Sequence, residues 1–431
     1  MGRGIARSED TIGFHRARSS RTVAQDSCVR YSPARTSHGQ NGRRGRHRQS
    51  PTGPRNVRIV SRAHLVVNLS RIEHNARILV RRLPGVDIVG VSKVTCGDGR
   101  VAAAMVEGGV KAIADSRHAN LEGLREAGVD VPVWLLRGPR PDEAAETVRL
   151  ADVSLNSELA TVAALDAAAE RLGGVHRVIV MVDLGDLREG ILPEEVIPFL
   201  AAVLPLRHVW LEGLGTNLSC YGGVAPSPEN LGELVELANV AAEMFGRGLT
   251  VSGGNSSTLE LALGGNMPEG IDNLRIGESI LLGMNTLTRE PLMPELDLDA
   301  FIISAPVIEC KMKPSLPIGD VAQDAFGHKP SFVDRGIRMR ALCALGRQDA
   351  PPQGLTPCDH RVEVLGASSD HLVLDVDDLD TPPEPGDSID FRPNYAALLQ
   401  AYTSPYVEKM HVSDSPAMVR SRVGARREVA T

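Results

Sequence analysis

The sequence lacks the short motifs that would assign its chemistry directly. It contains no HExxH zinc motif, no Walker A phosphate loop and no dinucleotide-binding glycine fingerprint. Its six cysteines are scattered, without a CxxC pair or a dense framework, which is typical of a reducing, cytoplasmic compartment. Cys358 and His360 are only two nearby metal-ligand types in a proline-rich stretch, so no metal site is expected.

Positive charge is scarce in most of the chain. Residues 1–56 hold twelve Arg and no Lys against three acidic residues, a net charge of +9. Because the whole chain carries −7, the remainder carries −16. Binding to nucleic acid requires clustered cations, so no nucleic-acid partner is expected for the folded part.

The first 56 residues are poor in aliphatic side chains and have no apolar run that could serve as a secretory signal or a membrane span. We expect this Arg-rich leader to be disordered and no membrane partner. Its role stays open between an inert tail or a misplaced start codon, an interaction arm, and targeting. Residues 413–431 are polar and Arg-bearing, and we expect disorder there as well.

What the chain does contain is an alternation of short apolar strands with amphipathic helices over residues 57–295. A chain of 431 residues is long for one core, so two domains are expected. Alternation of this kind predicts a parallel sheet, and eight units close into an α/β (β/α)₈ TIM barrel. The predicted strands are 86–91, 111–114, 131–136, 151–155, 177–184, 208–215, 249–252 and 274–276. The helices between them include 99–107, 119–127, 141–149, 158–172, 193–203 and 230–246.

Two further segments complete the predicted fold. Residues 63–69 resemble a strand, and Ser70 with Glu73 has capping-box spacing ahead of a helix. Past Glu295 the helical period disappears, and β-like runs at 301–311, 331–345, 361–374 and 387–391 are followed by one short helix at 394–402. We therefore predict a mostly β C-terminal domain over 296–412, joined by the early strand near Val66.

A lysine stands at the end of the first predicted barrel strand. Val86, Ile88, Val89 and Val91 form the apolar run that precedes Lys93. Desolvation lowers the pKa of a lysine and makes its amine available to form a Schiff base with an aldehyde. Lys93 could also simply mark where the strand reaches solvent. The residues at the other strand ends are therefore needed to distinguish the two interpretations.

In a barrel of this type the chemistry lies where strands end and βα loops begin. These positions are nearly all polar: Asp115, Arg117, Arg137, Asn156, Asp183, Arg188, Thr216, Asn217, Asn255 and Arg275. Helix capping is the expected role of Asn156 and an alternative role for Asp115. It does not account for several arginines at one mouth, which indicate anion binding.

The seventh loop, SGGNSST at 252–258, has the composition of a phosphate-binding loop. Its glycines let backbone N–H groups approach a ligand, its hydroxyls add donors, and it opens a helix, although a flexible turn is an alternative. Together with Lys93, the loop suggests an aldehyde cofactor that carries a phosphate, which is pyridoxal phosphate.

The residues assembled so far resemble the alanine racemase superfamily of fold-type III pyridoxal phosphate enzymes, and more closely its alanine/ornithine racemase branch, over residues 63–406. The barrel motifs that carry the resemblance are SKVTCGD at 92–98, DSR at 115–117, DLGDLREG at 183–190, GTNLSCYG at 215–222, SGGNSS at 252–257 and LRIGE at 274–278. Those of the second domain are GRQD at 346–349, GASSDH at 366–371 and NY at 394–395.

The resemblance implies a role for each site residue. Lys93 would carry the cofactor as a Schiff base and act as one proton-transfer base. Arg137 would lie beside the phenolic oxygen of the cofactor, and Asn217 would stand where alanine racemases place a ring-stacking histidine. Arg275 would face the pyridine nitrogen and keep it unprotonated, because a guanidinium does not give up its proton. The phosphate would be held by Ser256 and the backbone of Gly277 and Glu278, with help from Tyr395.

Two departures from alanine racemases stand out. The tyrosine that serves as the second base in their Gly-Tyr-x-Asp stretch is missing from GRQD at 346–349, and Gly97 stands near the place of a second tyrosine. Racemisation needs acids and bases on both faces of Cα, so the second base is unassigned. The candidates are Asp349, Ser369, Asp370 and Cys343.

The resulting expectation is a cytoplasmic, homodimeric, pyridoxal phosphate-dependent amino-acid racemase, with a basic substrate such as ornithine ahead of alanine. One alternative is an aldolase or dehydratase acting on D-amino acids, which shares both domains. The other is a non-catalytic pyridoxal phosphate carrier, which resembles the barrel alone.

Overall fold

The computed structural model describes residues 62–413, so the predicted leader 1–56 and nearly all of the predicted tail lie outside the described residues. Eight parallel strands close into a barrel in chain order, and the first pairs with the last. Numbered after β1 (His64–Asn68), the barrel strands are β2 (Asp87–Val91), β3 (Ala112–Asp115), β4 (Val133–Leu135), β5 (Val153–Asn156), β6 (His176–Val182), β7 (Val209–Thr216), β8 (Thr250–Ser252) and β9 (Asn273–Ile276). All eight predicted strands and the TIM-barrel class are thus confirmed.

Helices cover the outside of the barrel. They are α1 (Leu69–Arg82), α2 (Gly99–Glu107), α3 (His118–Glu126), α4 (Ala144–Leu150), α5 (Leu159–Arg171), α6 (Pro193–Val203), α7 (Pro228–Phe245), α8 (Leu259–Leu263) and α9 (Glu278–Leu282). The barrel interior is a packed apolar cluster that includes Val89, Trp134, Leu155, Ile179 and Met181. Because side chains fill the interior, any ligand has to bind at the rim, among the loops.

The C-terminal part is mostly β, as predicted, and its strands pair antiparallel except for one parallel pair. Its elements are β10 (Phe301–Pro314), β11 (Ile337–Cys343), β12 (Leu355–Pro357), β13 (Glu363–Ala367), β14 (Leu372–Asp375), β15 (Ser388–Pro393), α10 (Tyr395–Thr403) and β16 (Glu408–Val412). The first strand of the chain belongs to this sheet, because β1 pairs antiparallel with β10 and parallel with β16. The predicted contribution of the strand near Val66 is therefore confirmed, and the domain boundary at 295/296 stays a prediction.

Several local predictions were wrong. The run at 361–374 is two strands, with a turn closed by the Ser368 N–H donating to the carbonyl of His371 at 2.9 Å. The N-cap of α1 is Asn68, whose side chain accepts from the N–H of Arg71, whereas the Ser70 hydroxyl donates to the carbonyl of Ser413. Strands β12 and β16 were not predicted. Among residues 62–413, no helix is long and apolar enough to cross a membrane.

Candidate active site

Lys93 lies in a short 3₁₀ turn, Lys93–Thr95, directly after β2. The turn is held from below by buried Ser92, whose hydroxyl donates to the Asp115 carboxylate at 2.8 Å and whose carbonyl accepts from the Thr95 hydroxyl at 2.9 Å. Gly97 closes it at φ +68°, where an added Cβ would lie 2.7 Å from the carbonyl oxygen of Asn120. The side chain of Lys93 is thereby presented at the barrel rim on a rigid support.

Asp115 is the anchor of this support. Its Oδ1 accepts from the N–H groups of Ser116 and Arg117 and from the Asn120 amide, and burial raises the pKa of its carboxyl group. Helix α3 begins three residues later, at His118. Asp115 therefore ties the Lys93 turn to the start of α3, which is more than the capping role predicted for it.

Two adjoining cavities open at this rim. The first, of about 330 Å³, is called the cofactor cavity here and is lined by seven of the eight predicted site residues: Lys93, Asn217, Ser256, Arg275, Gly277, Glu278 and Tyr395. The second, of about 460 Å³, is called the side cavity and is lined by the eighth, Arg137, and again by Lys93. Leu136, Leu155, Arg188 and Glu189 line both cavities. The structure thus brings together residues that lie up to 302 positions apart between Lys93 and Tyr395.

Arg275 forms the floor of the cofactor cavity. It is 4% exposed, and its guanidinium donates to the carbonyl of Thr216 and to the hydroxyl of Ser252. Burial lowers the pKa of Arg275 to about 10, so the group is still a cation at neutral pH. Within the described chain no carboxylate pairs with it, which leaves a fixed positive charge at one position of the cavity.

The predicted phosphate end is built from the loops after β8 and β9. The Ser256 hydroxyl accepts from the N–H groups of Gly277 at 3.3 Å and Ser279 at 3.4 Å, so the two loops are joined directly. Gly254 has φ +112°, and a Cβ there would lie 2.7 Å from the Thr258 hydroxyl. Glycine is required at Gly254 for this close approach, which gathers N–H and O–H donors on one wall.

The C-terminal sheet completes the cavity through Tyr395, the first residue of α10. Burial raises the pKa of Tyr395 well above its ordinary value, so its hydroxyl is a protonated donor. Glu278 is turned toward Arg289, with 2.8 Å between its carboxylate and the guanidinium. Burial raises the pKa of Glu278, while Arg289 and Lys93 lower it. The predicted phosphate end therefore offers hydrogen-bond donors, and the Glu278 carboxylate there is paired with Arg289.

Thr286 is a residue of this cavity that the sequence did not point to. It lies after α9, lines the cofactor cavity, and its Oγ1 is buried with no hydrogen-bond partner among residues 62–413. A buried hydroxyl without a partner is costly, which indicates that a ligand in the cavity completes its hydrogen bonding. Its sequence neighbourhood carries no signal, because an isolated threonine after a helix is common.

Asn217 and Arg188 form the opposite wall. The side-chain amide of Asn217 lies 2.9 Å from Nδ2 of Asn255 and also contacts the Arg188 guanidinium. The loop that follows Asn217 is fixed by Asp186, which is 1% exposed and accepts from the N–H groups of Cys220 at 3.2 Å and Tyr221 at 3.0 Å. The wall is therefore held by a buried carboxylate from the preceding βα loop.

The candidates for a second base lie elsewhere. Asp349 is buried and accepts from the N–H of Gly346 and from the Ser404 hydroxyl at 2.7 Å, and Cys343 is buried in β11, where burial raises its pKa to about 12. Asp370 accepts from the Gln348 amide. In the part of one chain that is described, none of the four candidates lines either cavity.

Comparison with known proteins gives this site its context. A family model for the N-terminal domain of alanine racemase matches residues 67–285. An ornithine racemase of Acetoanaerobium sticklandii and a lysine racemase of Thermotoga maritima are each 42% identical to the chain, over 80% of this chain and 98% of the relative. The chain belongs to the alanine racemase family. It is accordingly an isomerase of the amino-acid racemase class, and pyridoxal 5′-phosphate is its cofactor.

The fold of the family is also that of this protein. The structure of alanine racemase from a D-cycloserine-producing Streptomyces lavendulae aligns with a TM-score of 0.66 at 17% identity, covering 83% of this chain and 98% of that one. The racemase relatives are matched over nearly their whole length, C-terminal sheet included. This extent disfavours the alternative of a non-catalytic carrier, which has only the barrel.

The residues present fit a pyridoxal phosphate. The cavity offers an amine at Lys93 and a fixed cation at Arg275. It also offers a wall of N–H and O–H donors around Ser256, and the Thr286 hydroxyl without a partner among residues 62–413. A dianionic phosphate requires this kind of donor set.

Proposed function

We propose that this member of the alanine racemase family interconverts the L and D forms of a basic amino acid, with ornithine or lysine ahead of alanine. The observation that carries the proposal is the convergence of Lys93, Arg275 and Ser256 on one cavity. The preference for a basic substrate is supported by the two relatives at 42% identity, which are an ornithine racemase and a lysine racemase.

In this proposal each residue has a role that follows from its place in the cavity. Lys93 attaches the cofactor and takes or returns the proton at the substrate Cα on one face. Arg275 would face the ring nitrogen, Arg137 would lie beside the phenolic oxygen, and Asn217 would flank the ring. The phosphate is held by the Ser256 hydroxyl, the backbone of Gly277 and Glu278, and the Tyr395 and Thr286 hydroxyls. When bound, pyridoxal phosphate withdraws electrons from Cα and makes its proton acidic.

The rigid support of Lys93 matters for proton transfer. A base must stay within hydrogen-bond reach of the proton it moves, and the Ser92–Asp115 contact fixes the turn from which the amine projects. The positive charge of Arg275 would prevent protonation of a ring nitrogen next to it, because two cations repel each other in a buried site. Negative charge at the substrate Cα would then be less stabilised, which would favour prompt return of the proton over side reactions.

The second proton donor is proposed to come from a partner subunit in a cytoplasmic homodimer. The long β10–β11 connection leaves Ile318 (91%) and Val333 (71%) exposed, and Ile337 (65%) is exposed at the start of β11, which is a surface of the kind that subunits bury. The described cysteines are free, in keeping with a reducing compartment.

The test is a panel of single L-amino acids incubated with purified protein while circular dichroism is recorded. Loss of optical activity with ornithine or lysine is expected, together with a visible absorption band that borohydride fixes to Lys93. Release of ammonia or an aldehyde would instead favour the aldolase or dehydratase alternative. Bound cofactor with no turnover of any amino acid would favour the carrier.

A further inference from the structure

The side cavity has the layout of a pocket for a substrate side chain. It opens beside Lys93 and away from the phosphate end, and its walls come from the rim of β4, β5 and β6. Leu136, Leu155 and Met181 supply apolar lining. At about 460 Å³ it is large enough for an extended aliphatic chain, and its entrance is shared with the cofactor cavity.

One carboxylate in this cavity has no partner of its own. Glu158 is exposed, stands at the N-cap position of α5 without capping it through its side chain, and forms no ion pair within residues 62–413. Glu189, which also lines the cavity, is paired with Arg188. The negative charge of Glu158 is therefore available to a ligand, whereas that of Glu189 is already compensated.

A second observation indicates that a ligand in the side cavity would donate a hydrogen bond. Asn156 lines the side cavity, is 2% exposed, and its Oδ1 has no hydrogen-bond partner in the described chain. Its Nδ2 donates to the carbonyl of Ser154 at 2.9 Å and to the Ser154 hydroxyl at 3.0 Å, so the amide cannot turn over without losing both bonds. A buried amide oxygen held in this way is an incomplete acceptor.

The orientation of Asn156 is fixed further by a buried histidine. The Ser154 hydroxyl is 2.8 Å from Nε2 of His176, and burial lowers the pKa of His176 to about 4, so the imidazole is neutral at physiological pH. The Ser154 hydroxyl is therefore held between His176 and the Asn156 Nδ2 group. With Nδ2 engaged in this way, the amide oxygen of Asn156 is the atom left as a free acceptor.

We propose that the side cavity binds the distal ammonium of the substrate, with Glu158 supplying the opposite charge and Asn156 Oδ1 accepting a hydrogen bond. This specificity assignment rests on the proposed function. The methylene groups of an ornithine or lysine side chain then pack against Leu136 and Met181, which line the same cavity. A neutral side chain would leave both acceptors unused, so the pocket selects by charge.

The test compares two substrates that differ only in the distal amine, L-ornithine and L-norvaline. In Glu158→Gln we expect kcat/KM for L-ornithine to fall by roughly 10- to 100-fold, mostly through KM, because a charge-assisted hydrogen bond is lost. The value for L-norvaline is expected to change by less than about twofold. Glu146→Gln is the matched control, since Glu146 is exposed on α4 and lines neither cavity.

An equilibrium measurement separates this assignment from the proposed function. The dissociation constant of L-ornithine is measured on the loaded protein from the change in cofactor absorption, for the same three proteins. Equal effects of Glu158→Gln on both amino acids, or no effect on either, would overturn the assignment while racemisation itself stands. Glu158-dependent binding of L-ornithine without inversion would keep the assignment and overturn the proposed function.

Discussion

Arginines serve opposite purposes in the two halves of this molecule. In the C-terminal part several of them are paired with carboxylates: Arg338 with Asp375, Asp377 and Asp378, Arg361 with Asp359 and Asp380, and Arg392 with Asp299. At the barrel rim Arg275 is held only by neutral oxygens, and Arg137 has no ion pair in the described chain. The C-terminal part uses these cations within the fold, and the rim leaves Arg275 and Arg137 for a ligand.

The energetic consequence of this difference is asymmetric. Exposed ion pairs contribute about 0–1 kcal/mol each, so an exposed arginine such as Arg361 is individually dispensable. A buried cation without a counter-charge costs stability unless a bound ligand compensates it. Substitutions of Arg275 or Arg137 at the rim should therefore reduce catalysis or cofactor binding, and substitution of Arg361 should affect folding slightly and catalysis hardly at all.

The largest expected effect is that of Lys93→Ala. Turnover of ornithine should fall by at least about 10³-fold, because the variant loses both the attachment point and one proton-transfer base. The visible absorption band and its fixation by borohydride should disappear as well, which is measured without any substrate. Lys111→Ala, an exposed lysine that lines neither cavity, should retain both the band and the activity. A yellow, active Lys93→Ala protein would contradict the proposed chemistry.

The next effect in size concerns Arg275→Lys, which keeps the charge and removes the planar fork. A lysine cannot donate at once to Thr216 and Ser252 and still face the ring, so kcat/KM should fall by roughly 10- to 100-fold with the cofactor retained. Arg361→Lys in the sheet is the matched change and should leave kcat/KM within about twofold. Equal losses in the two variants would remove the distinction between rim and sheet.

The part of this comparison that the sequence could predict follows from local pattern. Buried parallel strands are continuous apolar runs, so the eight barrel strands were found, and polar residues within or after the ends of these runs placed Lys93, Ser256 and Arg275 at the rim. Strands β12 (LTP) and β16 (EKMHV) were missed because a proline in one and charged residues in the other leave no continuous apolar run. The order of the helices and strands could therefore be predicted from the sequence alone.

The sequence could not predict which polar atoms have hydrogen-bond partners. The free oxygen of Asn156 and the buried hydroxyl of Thr286 became visible only once their neighbours were placed, because satisfaction of a polar atom depends on tertiary contacts. Asn156 was interpreted as a helix cap from its position after a strand, yet α5 begins at Leu159 and its N-cap residue is Glu158. A pattern that identifies a polar residue does not identify its partner.

A smaller effect separates two aspartates whose pKa values are both lowered to about 2. For Asp98, burial acts to raise the pKa, but hydrogen bonds from His411 at 2.7 Å and Tyr402 at 2.9 Å more than offset it. The pKa of Asp359 is lowered by its hydrogen bonds from Arg361 on the exposed sheet surface. Only Asp98 joins the loop after Lys93 to the C-terminal elements α10 and β16, so its charge should matter more.

The sign of the pH dependence follows from the lowered pKa of Asp98. Stabilisation is present above the unfolded value near 4 and is lost as pH falls through about 2, so the wild type should lose stability across that window. Asp98→Asn should lower the free energy of unfolding at pH 7 by about 1–3 kcal/mol, and its free energy of unfolding should depend less on pH between about 4 and 2. Asp359→Asn should change this pH dependence much less. Urea unfolding at several pH values measures both, and identical curves for the two variants would contradict the linkage.

The smallest effect expected at the rim is that of Thr286→Val. This substitution tests whether a single rim hydroxyl serves the ligand or the fold. The substitution keeps the shape and removes a hydroxyl that is buried without a partner in the described chain. In the protein stripped of cofactor, Tm should therefore stay equal or rise, since no hydrogen bond is lost. The dissociation constant of pyridoxal phosphate, measured by equilibrium dialysis, should rise by roughly 5- to 20-fold, because one donor to the bound ligand is gone. Thr288→Val, an exposed neighbour that lines neither cavity, should leave the dissociation constant unchanged. Its Tm should not rise, because the Thr288 hydroxyl accepts a hydrogen bond from the N–H of Glu290 at 3.3 Å. A lower Tm with unchanged cofactor affinity would make Thr286 a structural residue and would place its partner within the fold.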